Sequence, residues 1–480
     1  MKLAERELDD LIGRLKGISK VARRDGAEPG RPDVAEGAAE NTAENAAEHG
    51  EFVPQAPKSL DDVGIPEALV EALVLKFLLR RGTVAGRAIA EQVAIPFSVL
   101  EPLLARLKSG QIVAHRSTSG IGDYLYQLTE RGIDVAKHHL HQGTYFGAVP
   151  VPLEDYLRSV EAQSVKRHRP TVANVVSSFD DLGLDPLLLN QIGQALDAGK
   201  GFFLFGPPGN GKTTIAEHVS RVFGRSIWVP RALWIDGQLV RLFDPCNHIE
   251  TPYTGTQQTI DRRWVHIRRP AIVVGGELVL ESLDFVVDPK AGTCEAPLQM
   301  KSNGGTLVID DFGRQRVTPG ELLNRWIVPL DRGYDFLHLQ DGKTIRMPFD
   351  QFLVFSTNLE PKELVDEAFL RRIPYKIEVR DPAESEFRGL LKQYSERYEI
   401  AFDGVACDHL IERHYRQPGR AFRRCHARDL IAQIHHFCRF NELPRALLPK
   451  HFDVAAANYF ALAEGTSQAL ISIEDGCAAI

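Results

Sequence analysis

Eight consecutive residues, Gly206-Pro207-Pro208-Gly209-Asn210-Gly211-Lys212-Thr213, carry the strongest chemical signal in the chain. They fit the spacing G-x-x-x-x-G-K-[ST]. Glycines at these positions let the backbone turn tightly, so that its N–H groups can surround phosphate oxygens. The apolar run Phe202–Phe205 just before them reads as a short buried strand, and Ile215 to Phe223 just after them as a helix. A helix that starts here aims the positive end of its dipole at an anion. Lys212 would reach the β- and γ-phosphates as a point charge, and the Thr213 hydroxyl would ligate Mg2+. With Thr214 following, the loop is read as a site for ATP and Mg2+.

Two later segments supply the other groups that ATP hydrolysis needs. Thr306-Leu307-Val308-Ile309-Asp310-Asp311 is a β-prone run that ends in two acids, as in a Walker B strand. Asp310 is the expected metal-shell carboxylate, acting through water, and Asp311 the candidate to polarise the attacking water. Phe352-Leu353-Val354-Phe355-Ser356-Thr357-Asn358 is an apolar strand ending in an amide that can orient the same water.

A phosphate loop, an acid-ended strand and an Asn-ended strand, in that order, resemble the AAA+ ATPases. The stretch Asn303 to Asp311, the helix around Leu322-Leu323-Asn324-Arg325-Trp326 and the turn Asp341-Gly342-Lys343-Thr344-Ile345 resemble the MoxR-like ATPases and the bacterial enhancer-binding activators. The resemblance covers residues 176–462. It implies an arginine finger near Asp366 to Arg372, with Arg372 best placed and Arg371 second. It also implies a lid arginine, sensor 2, for which Arg428 is chosen while Arg423 and Arg424 compete. One departure stands out: most AAA+ proteins place Glu after the Walker B Asp, and this chain has Asp311. The segment Ala271 to Leu280 reads as strands about a Gly-Gly turn, either a hairpin facing a ring pore, as in the resembled groups, or an extra edge hairpin.

These groups need a scaffold. Residues 176–380 alternate apolar strands with amphipathic helices, the α/β signature, and residues 381–462 read as a helical lid. Residues 61–142 read as helix, helix, helix and hairpin: Leu69 to Leu79, Ala85 to Val93, a helix carrying Leu100, Leu103, Leu104 and Leu107, then strands Gln111 to His115 and Tyr124 to Leu128 about a Gly-rich tip. That pattern resembles a winged helix-turn-helix domain. The expected fold class is therefore α/β: a P-loop NTPase (AAA+) three-layer core with an α-helical lid, preceded by a small α+β winged-helix-like domain and a disordered tether. Residues 1–24 read as an amphipathic helix, docking on its own protein or on a partner. Residues 25–60 form the tether, 143–175 a connector and 463–480 a tail.

Composition bounds the rest. A chain of 480 residues suggests two to four domains. A net charge of −7 argues against a polyanion-binding sponge. Six Cys without a close CxxC pair, no secretory signal and no long apolar run point to a cytoplasmic protein without membrane insertion. The Cys and His of the lid match no finger spacing and read as scattered core Cys and surface His. The winged-helix-like unit carries nine Lys/Arg against seven Asp/Glu between Ile65 and Gln142, which is weak for DNA binding. DNA binding, protein docking and a structural role all stay open for it. The expected function is an AAA+ ATPase that forms a homo-oligomeric ring, hexamer favoured, and remodels a protein partner. The alternatives are a nucleic-acid-associated ATPase, a loader or transcription regulator, and a nucleotide-gated switch with negligible hydrolysis.

Overall fold

The computed structural model describes residues 52–118, 122–167, 169–255 and 260–464. The expected N-terminal helix, most of the tether and the tail from residue 465 lie outside the described residues.

Five parallel strands form the centre. Their order is Ala271–Val274, Thr306–Ile309, Phe352–Thr357, Phe202–Phe205 and Tyr375–Glu378. The inner strands are buried on both faces, which is why they read as unbroken apolar runs rather than alternating ones. Period two still decides where each side chain goes. Phe202, Leu204, Val308, Val354 and Ile377 pack on the helices Val172–Ser178, Pro186–Asp197 and Lys212–His218. Phe203, Leu307, Ile309, Leu353 and Phe355 pack the other way, against Phe312, Trp326 and Phe369. Trp326 sits in the helix Pro319–Arg332, which starts with Pro319 at its first position and a capping box between Thr318 and Glu321. Helices thus cover both faces of a parallel sheet, and the phosphate loop follows an inner strand. This is a three-layer α/β core with a glycine-rich turn at the carboxyl end of an inner strand.

Ala271 to Leu280 does not form a hairpin. Ala271–Val274 is the edge strand of the central sheet and runs parallel to Thr306–Ile309, and Leu280–Leu283 is a 3-10 turn. A short apolar run bounded by glycine announces a strand but not its partner. The residues around it build a β-rich insert that the sequence did not reveal. Val286–Asp288, Thr293–Glu295, Gln238–Arg241, Ala232–Ile235 and Val151–Pro152 form one sheet, and Ser226–Pro230 pairs with Trp264–Arg268. Trp228, Leu233, Val240, Met300 and Met347 are among the core residues beneath it.

The connector is part of this body. Val151–Pro152 supplies a strand to the insert, and the helix Leu153–Ala162 buries Tyr156, whose phenol oxygen accepts from Asn303 at 2.9 Å. Ser164 Oγ donates to Asp350 Oδ1 at 2.6 Å. Residues 52–60, expected at the end of the tether, also dock: Phe52 meets Trp264 edge-on at 5.5 Å, and Asp261 N–H donates to Pro54 C=O at 2.9 Å.

Residues 61–142 form three helices, Glu67–Arg81, Gly86–Val93 and Phe97–Ser109, then strands Val113–Thr118 and Tyr124–Leu128 and a closing helix Glu130–Gln142. Thr129 caps that helix by accepting from Gly132 N–H. A two-residue strand, Val84–Ala85, adds a third member to the antiparallel sheet. The unit has its own core, including Leu73, Leu100, Leu104 and Tyr126. Among the described residues no single helix is long and apolar enough to cross a membrane. The one bent pair that passes together, Gly86–Val93 with Phe97–Ser109, buries its apolar residues in this core.

The lid packs Glu384–Arg397, Gly404–Ile411, Arg424–Phe440 and Pro449–Glu464 around Phe387, Leu410, Ile434 and Phe452.

Candidate nucleotide site

Every group singled out on the sheet sits at the carboxyl edge of its strand, where ligands bind in open α/β sheets. Thr357 pairs in register with Phe205, so Asn358 and Gly206 leave the sheet side by side. Ile309 pairs with Phe355, which sets Asp310 on the other side of the same strand.

Lys212 opens the helix Lys212–His218 behind Gly211, whose φ is 81°. Its side chain is buried, and Nζ donates to Gly206 C=O and Pro207 C=O at 2.9 Å each and to Asn358 Oδ1 at 2.7 Å. Burial lowers the pKa of this ammonium; Asp310 and Asp311 work against that, and Arg423 works with it. Thr213 Oγ1 donates to Asp310 Oδ2 at 2.9 Å. Both are hard oxygen donors of the kind Mg2+ takes. Asn358 Nδ2 donates to Asp311 Oδ1 at 3.3 Å. Lys212, Asn358 and Asp311 are therefore linked through one amide, and Thr213 and Asp310 form a second pair beside them.

Asp311 has φ of 47°, in the left-handed region that Asp and Asn tolerate better than other side chains. The turn is held by Gln315 Nε2, which donates to Asp310 C=O at 2.8 Å and Asp311 C=O at 3.2 Å, and by Phe312 N–H on Ser356 C=O at 2.8 Å. Gln315 was not singled out in the sequence.

Within the phosphate loop, Pro208, Gly209 and Thr214 are exposed while Asn210 is fully buried. Asn210 turns away from the loop's mouth: Nδ2 donates to Asp381 Oδ1 at 2.7 Å, and Oδ1 accepts from Arg424 N–H at 3.2 Å. It ties the loop to the lid. Gly209 lies so close to the lid helix that a Cβ there would stand 2.4 Å from Cys425 Sγ. Cys425 N–H donates to Gly209 C=O at 2.9 Å.

Arg428, the arginine chosen for the lid, is not the one the structure brings to the phosphate loop. Arg428 lies a turn into its helix and is exposed, with Nε on Asp429 Oδ1 at 2.8 Å. Arg423, at the helix's amino end, is the arginine that the loop–lid contact draws in. It pairs with Asp381, which also holds Asn210, and its charge acts on Lys212. Arg424 donates instead to Leu182 C=O at 3.2 Å. The physical reason is the backbone contact at Cys425, which brings the start of the helix, not its second turn, to the loop. Arg423→Ala is expected to weaken binding of a fluorescent ATP analogue about tenfold or more, the loss of one charge-assisted contact. Arg428→Ala should leave it within about twofold; equal effects from both would refute the assignment.

Of the finger candidates, Arg372 Nε is on Asp331 Oδ2 at 3.1 Å, and Arg371, the more exposed, is on Glu367 Oε1 at 3.3 Å.

His426 follows on the same lid helix. Its Nδ1 is 3.1 Å from the Tyr415 hydroxyl, and its ring meets Tyr459 and Phe460 edge-on. Burial, then the charges of Arg423 and Arg420, push its pKa down to about 4. An unfolded histidine titrates near 6.5. Between those values the unfolded chain binds a proton that the folded lid refuses, so stability falls as pH drops through that window. Urea melts should show a lower midpoint at the acid end of this window than at neutral pH, and His426→Gln should flatten the difference.

A family profile described as "Domain of unknown function (DUF8689)" matches residues 383–458, all within the lid. No curated protein matches the chain. Among solved structures, the RuvB Holliday junction branch migration motor of Thermotoga maritima is similar, with 14% identity and a TM-score of 0.35 over 63% of this chain and 76% of that one. NtrX from Brucella abortus in complex with ATP is similar at 12% identity and a TM-score of 0.34, over 67% of this chain and 61% of that one.

Proposed function

We propose that this chain binds ATP with Mg2+, hydrolyses it, and uses the cycle as a ring oligomer, a hexamer being favoured, to remodel a protein partner. The observation that carries the reading is the Lys212–Asn358–Asp311 link beside the Thr213–Asp310 pair. In this reading the loop N–H groups and Lys212 hold the phosphates, and Thr213 with Asp310 holds Mg2+, Asp310 through water. Asn358 orients the attacking water and Asp311 polarises it. Most of the rate comes from positioning and charge rather than covalent chemistry. Arg423 reads the nucleotide from the lid, and Arg372 or Arg371 reaches the γ-phosphate of a neighbouring subunit. A finger that acts across a boundary calls for a closed ring.

Protein docking is favoured over duplex binding for the N-terminal unit because the basic side chains of its third helix and following strand already have partners within the unit. Arg106 pairs with Glu67, Lys108 Nζ is 3.2 Å from His115 Nδ1, and Arg116 donates to Gln127. The test is steady-state phosphate release by the full chain, with Lys212→Ala as control, alongside light scattering. Release well above the control, with ATP-dependent assembly, is expected. Release at the control level leaves only the nucleotide-gated switch, and a monomer in every nucleotide state removes the ring.

A further inference from the structure

The lid gathers two imidazoles and a carboxylate at a place the nucleotide chemistry does not use. His409 lies near the end of the helix Gly404–Ile411, and the chain continues as a π turn, Glu412–Arg416, closed by Gln417 N–H on Glu412 C=O at 3.0 Å. In an uninterrupted α-helix, side chains five residues apart point about 140° from each other. The wider π turn reduces that divergence and lets His414 share a face with His409. Such turns are rare and recur at functional sites. Here the result is that both Nε2 atoms converge on one oxygen. His409 Nε2 is 2.9 Å and His414 Nε2 is 2.7 Å from Oδ1 of Asp453, which comes from the helix Pro449–Glu464. Arg413 Nη1 holds the other oxygen, Oδ2, at 3.1 Å.

We propose that His409, His414 and Asp453 form a site for a divalent transition-metal ion of the zinc class. The three donor atoms lie within 4.8 Å of one another. A tetrahedral ion with bonds of about 2.0–2.1 Å needs donors about 3.3 Å apart, so the two contacts to Asp453 must open by about half an ångström and the two imidazole nitrogens must settle at that same spacing. Two imidazoles and one carboxylate suit Zn2+, Ni2+ or Cu2+, and they are a poor set for Mg2+, which prefers oxygen. Both histidines then coordinate through Nε2 with the proton on Nδ1, and Arg413 keeps the carboxylate oriented from its far oxygen. The side chains are 29%, 18% and 31% exposed, enough for an ion to enter and for water to complete the shell. The ion would clip the Gly404–Ile411 helix and its π turn to the closing helix, so its effect is on lid stability.

The test uses the full chain, stripped with chelator and kept in excess Mg2+ without nucleotide. Zn2+ is titrated against a chromophoric chelator, with Co2+ as a spectroscopic probe. The wild type should take up about one more Zn2+ than a His409→Ala/His414→Ala chain, and Zn2+ should raise the melting temperature of the wild type alone. Asp453→Asn keeps an oxygen for both imidazoles but loses the anionic ligand, and should weaken Zn2+ binding at least about tenfold. Equal uptake by the wild type and the double variant would overturn the proposal. So would a wild type whose Co2+ complex shows no visible ligand-field absorption, a result that needs no variant to fold.

Discussion

Asp311→Asn should lower steady-state phosphate release by about 10²–10⁴-fold, the usual contribution of a positioned general base, while ATP binding stays within about twofold. That loss corresponds to about 3–5 kcal/mol of barrier. The substitution is well chosen for this backbone. Asp311 has φ of 47°, and Asn tolerates that region as well as Asp does, so the turn does not change. The amide oxygen of Asn can still accept from Asn358 Nδ2, so the link to Lys212 survives. Only the ability to take a proton from water is removed. The same φ offers a reason for Asp at this position in place of Glu: a longer side chain gains reach but does not favour a left-handed backbone. Quench-flow with labelled ATP separates binding from cleavage. Cleavage at the parent rate would show that Asp311 only braces Asn358.

The site was legible because its parts depend on local spacing. A glycine-rich turn between a strand and a helix, and apolar runs ending in Asp310 and Asn358, can be read without knowing what lies across the sheet. Lys212, Thr213, Asp310, Asp311 and Asn358 come together at one end of the sheet. Contacts set by long-range packing were not legible. Arg423, Arg424 and Arg428 are equivalent as letters, and only the approach of Cys425 to Gly209 decides which one faces the loop. Asn210 sits inside the phosphate-binding motif, yet its side chain is committed to Asp381 and the lid. The helices and hairpin of residues 61–142 follow from apolar periodicity and a capping threonine. The β-rich insert does not, because its short strands draw partners from segments as distant as Val151–Pro152 and Thr293–Glu295. His409 and His414 have the wrong separation for one face of an α-helix, and the π turn that reconciles them leaves no spacing rule to read.

Arg263→Met should release the N-terminal unit from the α/β body at a cost of about 3–5 kcal/mol, the usual loss when one partner of a buried ion pair is removed. Arg263 and Asp261 are each 3% exposed. Nε and Nη2 of Arg263 engage both oxygens of Asp261 at 2.8–3.1 Å, and Nη1 donates to Val63 C=O at 2.8 Å and Pro150 C=O at 3.3 Å. One guanidinium therefore joins the start of the N-terminal unit, the connector and the insert. Met fills much of the volume but leaves a buried carboxylate without its cation and two carbonyls without a donor. Adding Asp261→Asn should recover part of the loss, since the stranded charge is the larger share of it. The unit has its own core around Leu73, Leu100 and Tyr126, so it should undock rather than unfold. Limited proteolysis should then cut between residues 143 and 152 faster than in the wild type. None of the groups at the nucleotide site comes from the N-terminal unit, so basal phosphate release should stay within about twofold. A fall in basal release equal to that of Asp311→Asn would mean that the N-terminal unit takes part in phosphate release itself.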